Sequence, residues 1–351
     1  MKPLLSRLLR DEQASTWTSG ALVVVGAILF AVFAGNGYQL TVGQNVGIDA
    51  ISAMGLTVVV GRAGQLNLGQ AGFMAVGGYS VAYGTTKLGL SFIVAIAAGV
   101  AIAFFFGLVV GYIALRLRGN YLGMATLAFG AIIFGLLGVQ SSLGGLGGLY
   151  GIPPITFIRT FATPAEAYWF IWVVVFLCFV VCALFLRGRP GHQLAALRDD
   201  ELAAATIGVN NTFRKLQAFA LSAILGAVAG GILAANSTVI DPTLFQPLIS
   251  FQIFLMVVIG GLGSLGGAVA GAAIVVWLVQ LMPGTGDSAY VVLGALVLVF
   301  MAVFPRGLGG AVLSVFDRFR RTGIAASDFD RQGQPEALSD ARVEAGSEVS
   351  G

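Results

Sequence analysis

The sequence predicts an all-α, polytopic membrane protein with about ten transmembrane helices, some of them broken at glycines. The chain has 351 residues, of which 57% are hydrophobic and only 10% are charged, whereas soluble domains usually have about 25% charged residues. Long apolar runs such as SFIVAIAAGVAIAFFFGLVVGYIAL are sufficient to cross a bilayer as helices. They do not alternate apolar and polar positions, so membrane β-strands are not expected.

The apolar runs place the predicted spans in order along the chain. They lie at 20–35, 45–60, 65–86, 91–115, 120–140, 166–186, 215–236, 243–261, 264–282 and 288–304. Basic residues favour the cytoplasmic side of short loops. With the N-terminus inside, only Lys87 and Arg159 among the basic residues fall outside, so both termini are predicted to be cytoplasmic. About eight spans is the alternative, because 65–86 and 264–282 are candidates for partly re-entrant segments.

The chain divides into three parts by composition. Residues 1–19 form a mixed, polar N-terminal segment without the pattern of a cleavable signal peptide, and 20–304 form the transmembrane domain. Residues 305–351 are predicted to be a cytoplasmic, largely disordered tail, because about 318–351 combine charges of both signs with Gly, Ser and Gln and have no apolar period.

The longest internal polar segment is RGRPGHQLAALRDDELAAATIGVNNTFRK, residues 187–215, on the predicted cytoplasmic side. It contains good helix formers followed by a glycine at which a helix can end. A plain linker between two spans would be shorter. The segment therefore favours a docking helix for a soluble partner over a solvated loop helix.

The stretch VVVGRAGQLNLGQAGF, residues 58–73, has glycines and polar side chains in apolar surroundings. Such a segment is tolerated in a membrane where protein covers its backbone or where it lines a hydrated cavity. The uncharged amides suit a neutral or zwitterionic solute, or else they bond helices together at a break. The residues concerned are Gly61, Gly64, Gly69 and Gly72 as hinge or close-packing positions, and Gln65, Asn67 and Gln70 as candidate path residues.

A short internal similarity predicts a second break. VVVGRAGQL at 58–66 resembles VVIGGLGSL at 257–265, so that Gly260 and Gly263 correspond to Gly61 and Gly64. Many transporters consist of two repeats with broken helices near the substrate. A true parallel repeat and a related pair of broken helices both account for the similarity.

The sequence lacks the residue patterns that several classes of chemistry require. There is no GxxxxGK[ST] phosphate loop, so the chain is not expected to hydrolyse ATP. His192 is the only histidine, and no set of nucleophile, base and orienting residue is visible. We therefore expect no enzyme activity, no metal, no cofactor and no nucleic-acid partner. Acidic residues are nearly absent from the predicted spans, which argues against a carrier driven by protons or sodium.

Three stretches of the sequence resemble the inner-membrane permease subunit of branched-chain amino acid ABC importers, of the LivH/LivM type and closer to the LivM branch. They are GRAGQLNLGQAGFMAVGGY at 61–79, the cytoplasmic segment and the helix after it at 187–234, and the second Gly-rich segment at 241–272. GIPP at 151–154 adds to the match.

The resemblance implies a fold, partners and a substrate class. The fold would be that of a type II-like ABC importer permease in the inner (plasma) membrane. The partners would be a LivH-like second permease, two cytoplasmic ATPases that bind ATP, and an extracytoplasmic binding protein. Segment 187–215 would meet an ATPase through Arg198, Asp199, Asp200, Glu201 and Gly208. Leucine, isoleucine, valine or similar amino acids would be the substrates; a related permease for urea, short amides or sugars, and a stand-alone channel, are the alternatives.

Overall fold

The computed structural model describes residues 18–31, 36–114, 116–117, 119–155 and 163–280. In this part of the chain the all-helical class is confirmed. The helices are α1 (Thr18–Ala31), α2 (Gly37–Leu56), α3 (Gln70–Thr86), α4 (Phe92–Ala114), α5 (Asn120–Val139), α6 (Pro164–Arg187), α7 (Arg189–Asp199), α8 (Glu201–Thr206), α9 (Asn211–Ser237), α10 (Pro247–Gly260) and α11 (Leu265–Gln280).

Short elements complete this architecture. A π-helical turn, Thr57–Arg62, continues α2, and 3₁₀ turns occupy Ser141–Leu143, Gly145–Gly147 and Pro242–Phe245. Two short strands, β1 (Leu149–Tyr150) and β2 (Val239–Ile240), pair antiparallel with Leu149 opposite Ile240. This pair attaches the connection between α5 and α6 to the end of α9.

Most predicted spans correspond to described helices, but the one predicted at 45–60 begins eight residues earlier, at Gly37. Five described segments are long and apolar enough to cross a membrane: Gly37–Arg62, Phe92–Ile113, Asn120–Val139, Pro164–Arg187 and Asn211–Ser237. Helices α1, α10 and α11 are shorter but apolar. The predicted span at 65–86 differs at its start, because residues 64–69 are not helical and α3 begins at Gln70. The predicted span at 288–304, residues 1–17 and the tail at 305–351 lie outside the described residues.

Helices α2 and α9 are largely buried, whereas α4, α5 and α6 present much of their surface outward. Glycines allow the inner helices to approach closely. A Cβ atom at Gly77 of α3 would lie 2.5 Å from Cα of Ala227, and one at Gly230 of α9 would lie 2.8 Å from Cα of Met74. Small residues of this kind permit the backbone contacts that hold membrane helices together.

Candidate functional site

The helical structure is interrupted between α2 and α3. This break lies in the glycine-rich stretch 58–73, where the sequence predicts it. The π-helical turn shifts the hydrogen bonding, since the amide of Ala63 donates to the carbonyl of Val58 at 3.2 Å. Gly64 has φ +66, a conformation that glycine adopts readily, and residues 64–69 have no helical structure. The helix therefore ends at this glycine and starts again at Gln70.

Buried amides hold the broken segment in place. Asn67 and Gln70 are fully buried. Nε2 of Gln70 donates to the carbonyls of Ser52 in α2 (3.3 Å) and Ser222 in α9 (3.2 Å), and Oε1 accepts from the Ser222 hydroxyl at 2.9 Å. Oδ1 of Asn67 accepts from the amide of Gly69 at 3.0 Å. Two of the three candidate path residues thus bond within the chain, and Gln70 joins the break to its neighbouring helices.

Two hydroxyl groups from distant helices satisfy further backbone donors of the break. Oγ1 of Thr126 in α5 accepts from the amide of Leu68, and Oγ of Ser250 in α10 accepts from the amide of Ala71, both at 2.9 Å. Both hydroxyl residues are fully buried. The sequence analysis missed them; the signal available was a lone hydroxyl residue within an apolar helix.

Gln65 differs from the other two candidate path residues. Its side chain is only half-buried, and its Nε2 donates to the carbonyl of Ala63 at a long 3.4 Å. The side-chain oxygen makes no hydrogen bond to the described residues. Among the three amides, Gln65 therefore has the most freedom to bond to something outside the chain.

A second break separates α10 from α11 and lies against the first. Gly261 and Gly263 have φ +101 and +92, and α11 starts at Leu265. A Cβ atom at Gly61 would lie 2.6 Å from Cα of Gly263, and one at Gly260 would overlap the backbone of Gly267. The two similar sequence segments are thus in backbone contact. Gly64 and Gly263, which correspond in the sequence similarity, both adopt positive φ.

The remaining hinge glycines lie beside α5. A Cβ atom at Gly69 would be 3.3 Å from Cδ1 of Phe129, and one at Gly72 would be 2.9 Å from Cε1 of the same ring. Side chains larger than hydrogen at these positions would push α3 away from α5.

Within segment 187–215, residues Arg189–Asp199 form α7 and Glu201–Thr206 form α8. Asp200 lies between them, and its Oδ1 accepts from the amides of Leu202 (2.8 Å) and Ala203 (3.1 Å), which caps α8. Glu201 forms an ion pair of 2.7 Å with the buried ammonium of Lys215. Gly208, with φ +84, follows the end of α8. Asp200 and Glu201 are therefore committed to the structure of the segment itself.

Other residues of this segment are available to a partner. Asp199 is exposed, and Leu202 and Ile207 have 76% and 74% of their surfaces accessible. Exposed apolar surface beside polar residues is a candidate for contact with a partner protein or with a membrane surface. We call Asp199, Leu202 and Ile207 the α8 patch.

Arg198 connects this segment to the break. Its Nη1 donates to the carbonyl of Gly61 at 2.5 Å. Its side chain also covers Gly64, where a Cβ atom would lie 3.0 Å from Cγ of Arg198. A cation is favourable at this end of α2, because helix C-termini carry partial negative charge. Of the five predicted docking residues, Arg198 is the one whose side chain hydrogen-bonds to the break.

Sequence comparisons with known proteins match most of the residues that form these helices. A family model described as the permease component of branched-chain amino acid transport systems matches residues 40–301. The high-affinity branched-chain amino acid transport system permease proteins LivM of Salmonella typhimurium and Escherichia coli are each 34% identical over 261 residues. These matches cover 67% of this chain and 61% of each relative, so the chain spans less than two thirds of their length.

Similarity extends to the second type of permease in these systems. The probable branched-chain amino acid transport permease protein LivH of Methanocaldococcus jannaschii is 28% identical over 247 residues, which is 64% of this chain and 73% of that protein. No solved structure matches the chain.

Proposed function

The chain belongs to the family of permease components of branched-chain amino acid transport systems, and on that premise we propose that it is the membrane-spanning permease subunit of an ATP-driven importer for branched-chain amino acids. The observation that carries this proposal is the hydrogen bond from Arg198 to Gly61. It joins a segment with an exposed partner-binding patch directly to a broken membrane helix. An importer powered by a soluble ATPase needs such a connection, because the energy enters at one surface and acts inside the membrane.

The proposed assembly contains one copy of this chain and a LivH-like second permease. Two cytoplasmic ATPases bind ATP, and one of them docks on the α8 patch. An extracytoplasmic binding protein delivers leucine, isoleucine, valine or similar amino acids. The type II-like fold, the ten crossings, the inner-membrane location and the cytoplasmic position of both termini belong to this proposal.

The proposed mechanism is alternating access. ATP binding moves the docked ATPase and with it α7 and α8. Arg198 transmits this movement to the break, where Gly64 and Gly263 supply backbone freedom. Because the two breaks touch at Gly61 and Gly263, displacement of one changes the packing of the other. Gln65 is the proposed contact with the solute, while Asn67 and Gln70 shape the route by holding the broken backbone.

Reconstitution tests the proposal directly. The two permeases, with and without the ATPases, are placed in liposomes, and uptake of labelled leucine is measured with binding protein and ATP. We expect accumulation against a gradient only with the complete complex. An ATPase variant that binds but does not hydrolyse ATP is the control and should abolish accumulation. Equilibration of leucine by the permeases alone would instead identify a channel, and preferential uptake of urea or a sugar would identify one of the related permeases.

A further inference from the structure

From Val42 onward helix α2 is buried, with two exceptions that share one face. From Val42 to Val59, every residue is buried except Asn45 and Asp49, which are partly exposed. Their spacing of four places them on the same side of the helix, and the exposed Thr41 lies one turn earlier on that side. We call Thr41, Asn45 and Asp49 the α2 polar stripe.

Asp49 lies at the centre of its span. The apolar segment runs from Gly37 to Arg62, so Asp49 is twelve residues after its start and thirteen before its end. At 1.5 Å per residue, the carboxyl group is about 18–20 Å along the helix axis from either end. A carboxylate at this depth is costly facing lipid and is usually found beside water, a solute pathway or a partner charge.

The described residues offer no hydrogen-bond or ion-pair partner to the inner part of this stripe. Within the described residues, the side chains of Asn45 and Asp49 make no hydrogen bond or ion pair. The adjacent Gln44 shows the contrast, since its buried Nε2 donates to the carbonyl of Pro164 in the α6 first turn at 2.7 Å. The α6 helix packs on another side of α2, where a Cβ atom at Gly47 would lie 2.7 Å from Cγ2 of Ile171.

We propose that the α2 polar stripe lines the route of the transported amino acid and that Asp49 binds its α-ammonium group. This inference rests on the proposed function and adds a substrate-binding residue to it. A carboxylate accepts charge-assisted hydrogen bonds from an ammonium group, and these are stronger than neutral ones. The amide of Asn45 one turn away supplies both a donor and an acceptor. Transporters commonly bind their substrate near the middle of the bilayer, at the depth of Asp49.

Thiol labelling tests whether the stripe faces a hydrated route. In the complete reconstituted complex, Asp49→Cys is treated with a water-soluble, membrane-impermeant thiol reagent, and Ala50→Cys, at a fully buried position on another face of α2, is the matched control. The native Cys178 and Cys182 are only 9% and 0% exposed, so their background should be low. We expect Asp49→Cys to react at least about tenfold faster than the control, with protection by leucine and binding protein. Equal rates, or absence of protection, would overturn the assignment.

Charge removal tests the role of the carboxylate. Asp49→Asn keeps the shape but removes the charge, and we expect it to lower the rate of ATP-driven leucine uptake at least about tenfold. Asp49→Glu should restore part of that rate. Both variants should still co-purify with the second permease and the ATPases.

Two other results would overturn the inference. Wild-type uptake by Asp49→Asn would show that the charge is dispensable. Loss of the second permease from the purified Asp49→Asn complex would assign the carboxylate to an ion pair between subunits. Leucine accumulation by the wild-type complex serves as the reference. If the wild-type complex does not accumulate leucine, the proposed function is refuted. If the wild-type complex and the variant both accumulate it normally, only the binding role of Asp49 is refuted.

Discussion

Replacement of Arg198 by alanine tests the connection between ATP hydrolysis and transport. The substitution removes one charge-assisted hydrogen bond to the carbonyl of Gly61. A bond of this type contributes about 1.5–3 kcal/mol when shielded, and partial exposure of the arginine reduces this to about 1–2 kcal/mol. If the bond exists in only one of the two access states, its loss shifts their equilibrium by roughly 5–30-fold. We therefore expect a similar decrease in leucine transported per ATP hydrolysed.

The assay measures ATP hydrolysis and leucine uptake in the same proteoliposomes. Arg189→Ala is the matched control, because Arg189 is an exposed arginine of the same helix without a hydrogen bond to the described residues. Arg198→Ala should retain ATPase activity and assembly while uptake falls, and the control should be unchanged. Arg198→Lys should be intermediate, since lysine keeps the charge but not the planar donor geometry. An unaltered ratio of transport to hydrolysis in Arg198→Ala would refute the transmission of movement through this contact.

The remaining predictions concern the break and the α8 patch. Gly64→Ala should lower leucine uptake, because a left-handed conformation costs a non-glycine residue about 1–2 kcal/mol and the added Cβ would press on Arg198. Gly147→Ala is the control: the space around Gly147 is open, so this variant should transport leucine normally. Leu202→Asp combined with Ile207→Asp should decrease co-purification of the ATPases without loss of membrane insertion, and unchanged pull-down yields would exclude this docking surface. Gln70→Leu should lower the free energy of unfolding by about 2–3 kcal/mol, because it leaves buried polar groups of α2 and α9 unpaired. The effect should be observable as a lower Tm in detergent, and an unchanged Tm would contradict this bonding role.

Segment 187–215 shows how far residue types alone can be interpreted. Its composition predicts a single docking helix that ends at a glycine, whereas the structure has two helices, α7 and α8, divided at Asp200. The charged run at 198–201 suggested a partner-binding surface. In the structure, however, Asp200 caps α8 and Glu201 neutralises the buried Lys215. Charge reversal there would disturb the segment itself, so the exposed Leu202 and Ile207 are the sharper probes of docking.

Asp49 is a single acidic residue within a predicted span. The small number of such residues argues against a carrier driven by protons or sodium, but it does not address what one carboxyl group within a span does. A single ionisable residue inside a membrane helix is nevertheless a marker of function. The proposal for Asp49 depends on the burial of the residues around it, since only Asn45 and Asp49 interrupt the buried stretch from Val42 to Val59.

Local features of the chain were sufficient to predict the helices, their breaks and the family. A helix satisfies its backbone within a few residues, so apolar runs and glycines reveal where it forms and where it ends. The partners of the polar groups in the breaks depend on long-range packing instead. Gln70 bonds to Ser222, 152 residues away, and Arg198 bonds to Gly61 across 137 residues. Contacts over such separations exist only once the helices have packed. For that reason the bonding role of Gln70 and the contact of Arg198 with the break follow only from the folded molecule.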